Sequence, residues 1–197
     1  AFMHVDEDFN PALGFAPRRG VRRYFTGLTY KPYIESVDWL RQLGFIYEME
    51  YITDLSGSPQ SQKHLFTPLL LSYESGARSS LAFESSSDVP TSDFEISDGV
   101  VIPAGSYDWT RGIVKFATAD KRMIFLEHEF SFGDFYDGTR IENTAEVTFL
   151  PSKYLTAEMS YSKQEVELPR GDFDVKLASL EAHINFTPDF SWSNLVQ

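Results

Sequence analysis

Four glutamates carry the clearest prospect of chemistry in this chain. Glu127 and Glu129 flank His128, and Glu142 and Glu146 follow beyond a turn. In extended chain the side chains alternate between faces, so each pair shares one face of its strand. Paired carboxylates hydrolyse glycosides when held about 5 to 9.5 Å apart, which makes these four the candidate catalytic residues. The plainer reading is a hydrated acidic wall, which in a pore would favour cations. On a strand His128 points away from both glutamates, so Glu-His-Glu does not converge on a metal. His4, His64 and His183 are scattered. The absence of cysteine removes thiol nucleophiles, disulfides and Cys-ligated metals. No Gly-x-Ser-x-Gly elbow occurs, and Gly105 is followed by neither Gly-Lys-Ser/Thr nor a helical pattern. The acidic runs Asp6-Glu7-Asp8 and Asp88 to Asp98 lack the alternation and glycine of an EF-hand loop. No cofactor or metal is expected.

A second group is basic. Residues 9–20 hold prolines, glycines and the pair Arg18-Arg19. The functional reading is a loop facing the interior or mouth of a barrel, with Asn10, Arg18 and Arg19 forming a constriction or plug. The plainer one is an ordinary connection. Arg22 and Arg23 follow closely, and the four arginines have interior carboxylates such as Glu48, Glu50, Glu142 and Glu146 as prospective partners. Tyr33, Trp39 and Tyr136 would stack on sugars, although interface anchoring explains them as well.

The elements that must position these groups are strands. Leu43, Phe45, Tyr47, Met49 and Tyr51 alternate with Gly44, Ile46, Glu48, Glu50 and Ile52. The same period of two runs through Leu65–Tyr73, Leu81–Glu84, Met123–Phe132, Ile141–Phe149, Leu155–Ser162 and Leu180–Phe186, and more noisily through Val21–Tyr30 and Tyr107–Thr118. Turn residues separate the runs. The one stretch at helical spacing, Ile34 to Leu43, is short and fits strand alternation too. About ten strands of about ten residues are expected in one domain over residues 1–197, with Ser85 to Asp98 a longer loop.

Soluble strands usually run five or six residues, whereas about ten cross a bilayer at a tilt. The apolar faces are edged by Tyr24, Tyr30, Tyr51, Tyr73, Trp109, Phe132, Phe149, Tyr161 and Trp192, which suits the aromatic girdles of outer-membrane barrels. The opposite faces carry Glu, Ser, Thr and Asn, which a polar interior tolerates. The expected fold is therefore all-β, an antiparallel up-and-down transmembrane barrel or a large part of one. Its interior would be lined by Glu48, Glu50, Glu127, Glu129, Glu142, Glu146 and Glu158. With 29 Asp and Glu against 17 Lys and Arg, the net charge is −12. That surface repels a phosphate backbone, so nucleic acid is not an expected partner. The lipid bilayer is.

The segments Asp8-Phe9-Asn10-Pro11-Ala12-Leu13-Gly14-Phe15, Phe94-Glu95-Ile96, Val101-Ile102-Pro103-Ala104-Gly105-Ser106-Tyr107, Gly133 to Arg140 and the final Leu195-Val196-Gln197 occur in an informative order. That order resembles the uncharacterised outer-membrane barrel family that follows a family-nine-like carbohydrate-binding domain in many Gram-negative proteins. The resemblance covers nearly the whole chain, and similar chains continue into further strands. It implies an outer-membrane anchor or a pore for a small polar solute, linked to a carbohydrate-binding module, with no catalytic residue to transfer. Two other expectations stand beside it: a membrane-embedded glycan hydrolase using the carboxylate pair, and a soluble β-barrel holding an apolar ligand.

Overall fold

A computed structural model describes residues 1–10, 18–187 and 190–197. These form thirteen strands: β1 (Phe2–Val5), β2 (Val21–Tyr30), β3 (Leu40–Asp54), β4 (Pro59–Tyr73), β5 (Arg78–Asp88), β6 (Phe94–Ser97), β7 (Val100–Ile102), β8 (Tyr107–Ala117), β9 (Ile124–Phe135), β10 (Gly138–Ser152), β11 (Leu155–Leu168), β12 (Gly171–Thr187) and β13 (Phe190–Val196). No helix occurs among the described residues. Residues 34–39 connect β2 to β3, so the short helical spacing at Ile34 to Leu43 is not used. Eleven strands make one antiparallel sheet in simple sequence order, and β6 and β7 form a separate hairpin between β5 and β8. The sheet is not closed: the outer edges of β1 and β13 have no strand partner among the described residues.

The register sorts the side chains into two faces. Phe132 sits opposite Ile141, Leu126 opposite Val147, Val147 opposite Met159, and Met159 opposite Leu180. This apolar face is exposed: Phe83, Val114, Phe132, Met159 and Leu180 keep between 43% and 54% of their surface open. The other face carries most of the charged and polar groups among apolar ones such as Phe25, Ile113, Phe125 and Leu177, and it contains buried residues such as Glu84, Ser86, Arg111, Ser131 and Thr148. A single layer shelters polar groups and bares apolar ones only if it curls with the polar face inside the curve. The total accessible surface is 12747 Å². A compact globular chain of this mass would expose only about 9,500 Å², so the excess belongs to a one-layer sheet whose apolar side no second layer covers among the described residues.

One bulge corrects the expected faces. Between Phe66 and Leu69, β4 has one more residue than β5, and it has a matching irregularity against β3. Pro68 lies there, where a missing N–H costs no ladder bond. The bulge flips the phase of the strand. Leu69, Leu71 and Tyr73 face outward, but Leu65 joins the inner face beside Glu48 and Glu84. Trp109 also leaves the expected outer girdle. It pairs with Ser86 on the inner face and packs 4.9 Å from the ring of Tyr136.

The segment expected as a plain loop is partly strand. β5 continues to Asp88, and β6–β7 turns at Asp98-Gly99, with Gly99 at φ +74°. The Glu95 carboxylate accepts the Gly99 N–H at 2.7 Å, and Asp93 accepts that of Ala104 at 2.8 Å. Those carboxylates thus close turns. The hairpin places Val100 and Ile102 against Val166 and Leu168, with Phe94, Ile96, Tyr107, Phe135, Tyr136 and Phe173 around them. Every sheet residue in that cluster lies at one end of the inner face, near the β9–β10 and β11–β12 turns. The hairpin therefore caps one end of the curve, and it does so with the main apolar core of the described chain.

Ile102 is 1% exposed, so truncation should detach this cap. Ile102→Ala is expected to cost the cap about 2–4 kcal/mol. Amide exchange should rise across residues 94–102 while β9 to β11 keep their protection.

Candidate functional site

Glu84 is the hub of the inner face. It lies mid-strand on β5, opposite Leu65 on β4 and Arg111 on β8. Its carboxylate meets Lys63 Nζ at 2.6 Å and Arg111 Nη2 at 2.8 Å, and Ser86 Oγ donates to it at 3.2 Å. Arg111 also reaches across β9 towards Glu142, at 3.9 Å, while Arg140 sits 3.4 Å from the same oxygen. Gln164 donates to Glu142 at 3.0 Å. The β9 position beneath this crossing is Gly133, paired in register with both Arg111 and Arg140. Its φ is +143°, and a Cβ there would come within 2.4 Å of the Thr110 carbonyl and 2.8 Å of Arg111 Cα. Only glycine takes this backbone conformation so close to the β8 main chain.

All seven glutamates expected to line an interior share this face. Glu50 pairs with Arg23 at 2.6 Å, and Glu48 sits opposite Leu65 and Gly27. Glu129 is opposite Thr144 and bound to Lys115 at 2.5 Å. Glu127 is directly opposite Glu146, and Glu158 directly opposite Glu181. The four candidate catalytic residues thus separate. Glu142 and Glu129 are held by cations, and only Glu127 and Glu146 face one another, with Cβ atoms about 5 Å apart by strand geometry. Both line a recess of about 380 Å³ with Arg78, Lys115, Glu129 and Thr144. Glycoside hydrolysis asks one carboxyl to keep a proton while the other is ionised, a difference made by unlike environments. Here the two stand side by side on the same polar surface. His128 is on the outer face, opposite Ala145 and Phe116. Among the described residues no group of three or more His, Asp or Glu is placed to hold a metal.

The basic segment is described in part. Pro11 to Pro17 of the 9–20 loop lie outside the described residues. Arg18 approaches Asp88 at 3.5 Å and donates to Ser61 at 3.1 Å, and Arg18 and Arg19 line a second recess with Asp88 and Tyr136; Asn10 is exposed. Of the four arginines, only Arg23 meets one of the expected glutamates. Asp88 also accepts the Tyr136 hydroxyl at 3.0 Å. Burial, and then the Asp88 charge, hold the Tyr136 phenol protonated well above the ordinary tyrosine range. Tyr136 takes φ +51° in the two-residue β9–β10 turn, and the rings of Tyr107, Trp109, Phe135 and Phe94 enclose it. Its aromatic role is in the cap.

Sequence reading did not single out Lys63, Arg111, Lys115 or Arg140. No protein-family model, curated protein or solved structure matches the chain.

The side chain of Glu84 is only 5% exposed, so its charge cannot be replaced by water. Glu84→Gln is expected to cost about 3–5 kcal/mol by removing the nearest counter-charge of buried Arg111 and leaving it only the longer contact to Glu142. Glu158→Gln, which breaks no ion pair seen here, should stay within about 0.5 kcal/mol. Denaturant unfolding of the two variants checks the contrast.

Proposed function

We propose that this sheet is the wall of an outer-membrane-type β-barrel, with the apolar face against lipid tails and the ion-paired face turned to a polar interior. The observation that carries the reading is the exposed apolar belt on the outer face. From Ile124 to Phe132 the belt on β9, which His128 interrupts at its middle, runs about 27 Å along the strand, or about 20 Å at the usual tilt, close to the ~25 Å band of such barrels. It ends where charge begins: beyond Tyr161 and Ala178, the same face of β11 and β12 carries Lys163 opposite Lys176 and Glu165 opposite Asp174. Aromatic rings collect at both margins. Phe2, Tyr24 and Tyr51 neighbour one another on one side. On the other, Tyr30 stacks on Phe45 and Trp39 on Tyr73. A bilayer has no water to satisfy free backbone groups, so in this reading the edges of β1 and β13 need strand partners.

Within that reading, the β6–β7 cap favours a membrane anchor over an open conduit, because it occupies one end of the interior. The motif order that resembles barrels following carbohydrate-binding modules suits an anchor too. An apolar-ligand carrier would need its greasy rows inside the curve, and a hydrolase would need Glu127 and Glu146 in contrasting surroundings.

Met159 separates lipid from water on the outer face. It is 54% exposed. Met159→Arg at a water-facing surface costs within about 0.5 kcal/mol, but against lipid it costs about 2–4 kcal/mol near mid-depth. Urea unfolding from lipid vesicles should show the larger loss, with Glu181→Gln on the inner face near neutral. A neutral Met159→Arg, or a protein that stays monodisperse without detergent, contradicts the proposal.

A further inference from the structure

The basic residues without an ion pair divide unequally between the two ends of the sheet. Lys31, Arg41, Arg78, Lys121, Arg122 and Lys153 lie at or near the end away from the cap. Among the described residues none of these six has an ion pair within 4.0 Å, and none donates a side-chain hydrogen bond. Of the other 11 Lys and Arg, all but Arg19 and Arg22 are ion-paired. In a chain of net charge −12, unpaired cations gathered at one rim are the exception that asks for an external partner.

Four of the six converge. Arg41, Arg78, Lys121 and Arg122 line one recess of about 590 Å³, formed by the β2–β3 connection, the β4–β5 turn and the β8–β9 loop. Gly76 fixes the meeting of the last two: at φ +88° its Cα lies so close to Ala119 that an added Cβ would stand 3.0 Å from the Ala119 Cβ. Ala119 is 5% exposed, so the loop carrying Lys121 and Arg122 is seated. Tyr33 bridges to Gln42 on the other wall. Glu74 and Asp120 also line the recess without pairing to its cations, so positive charge is in excess. Gln42, Ser72 and Arg78 belong to the inner face, so on that side the recess is continuous with the inner surface. Arg78 is shared with the acidic recess of Glu127 and Glu146.

We propose that this recess binds a small solute bearing a phosphate group. Guanidinium forks match phosphate oxygens in pairs. Three arginines and one lysine supply more donors than Glu74 and Asp120 offer acceptors. The inference stands on the recess itself and does not depend on what covers the outer face.

Inorganic pyrophosphate is the probe, titrated calorimetrically into the purified chain at low salt. Saturable one-to-one binding is expected. It should weaken at least tenfold in the double variant Arg78→Gln, Arg122→Gln, weaken with added sodium chloride, and persist in Lys163→Gln, which lies at the other end. Circular dichroism and the unfolding midpoint confirm that the variants fold. A second arm uses vesicles with and without phosphatidylglycerol. Absence of saturable binding overturns the proposal, as does pyrophosphate affinity unchanged in the double variant. So does a double variant that loses only its preference for phosphatidylglycerol vesicles, since that assigns the cations to a lipid headgroup.

Discussion

A sheet one layer thick has to put its two faces into two different media. Here one face is apolar and exposed along its middle, and the other is charged and partly sheltered. Among the described residues neither face fills the core of a globular domain. The polar side would bury Glu84, Arg111 and Glu142 in a dry interior at a cost their pairing barely offsets. The apolar side meets no second layer among the described residues. Each later feature follows from this division, including the ion-pair chain across β4, β5, β8 and β10 and the excess of surface over a compact chain of the same mass.

The ion-pair chain and the cap divide the inner face into zones. At the capped end, apolar and aromatic side chains from the hairpin meet Val166 and Leu168. In the middle, guanidinium and carboxylate groups cross between strands, where Gly133 lets β9 approach the β8 backbone closely. Beyond lies an acidic stretch with Glu127 facing Glu146, and then the basic recess at the far rim. This sequence of environments along one axis is what a polar interior with a stopper at one end and a charged mouth at the other would present. Regular strands carry it, because a hydrogen-bonded ladder holds side-chain spacing more firmly than loops do.

The alternation was readable where the ladder is regular. Leu43 to Ile52 and Ile124 to Ser131 divide between faces as their period of two requires. It misled at Leu65, because a bulge at Pro68 shifts the phase by one residue and a one-residue shift moves every later side chain to the other face. The β6–β7 hairpin had a usable signal in Asp98-Gly99 between Phe94/Ile96 and Val100/Ile102, but the polar run before it masked strands this short. The glutamates of the inner face were legible as a set. Their partners were not: Lys63, Arg111 and Arg140 are brought to Glu84 and Glu142 by inter-strand register, which composition and local spacing do not encode. The same holds for the basic rim, whose residues come from four separate stretches of chain.

The division of media is open to direct measurement, because the chain has no native cysteine and a single introduced one takes a unique label. Nitroxides placed at Phe45, Leu126, Met159 and Leu180 on the outer face, and at Glu48, Glu127, Ser160 and Glu181 on the inner face, would be compared in lipid vesicles. If the outer face lies against lipid, its labels collide preferentially with oxygen and the inner ones with a water-soluble nickel chelate. Equal nickel accessibility on both faces, or outer labels shielded from both reagents by protein, would contradict it.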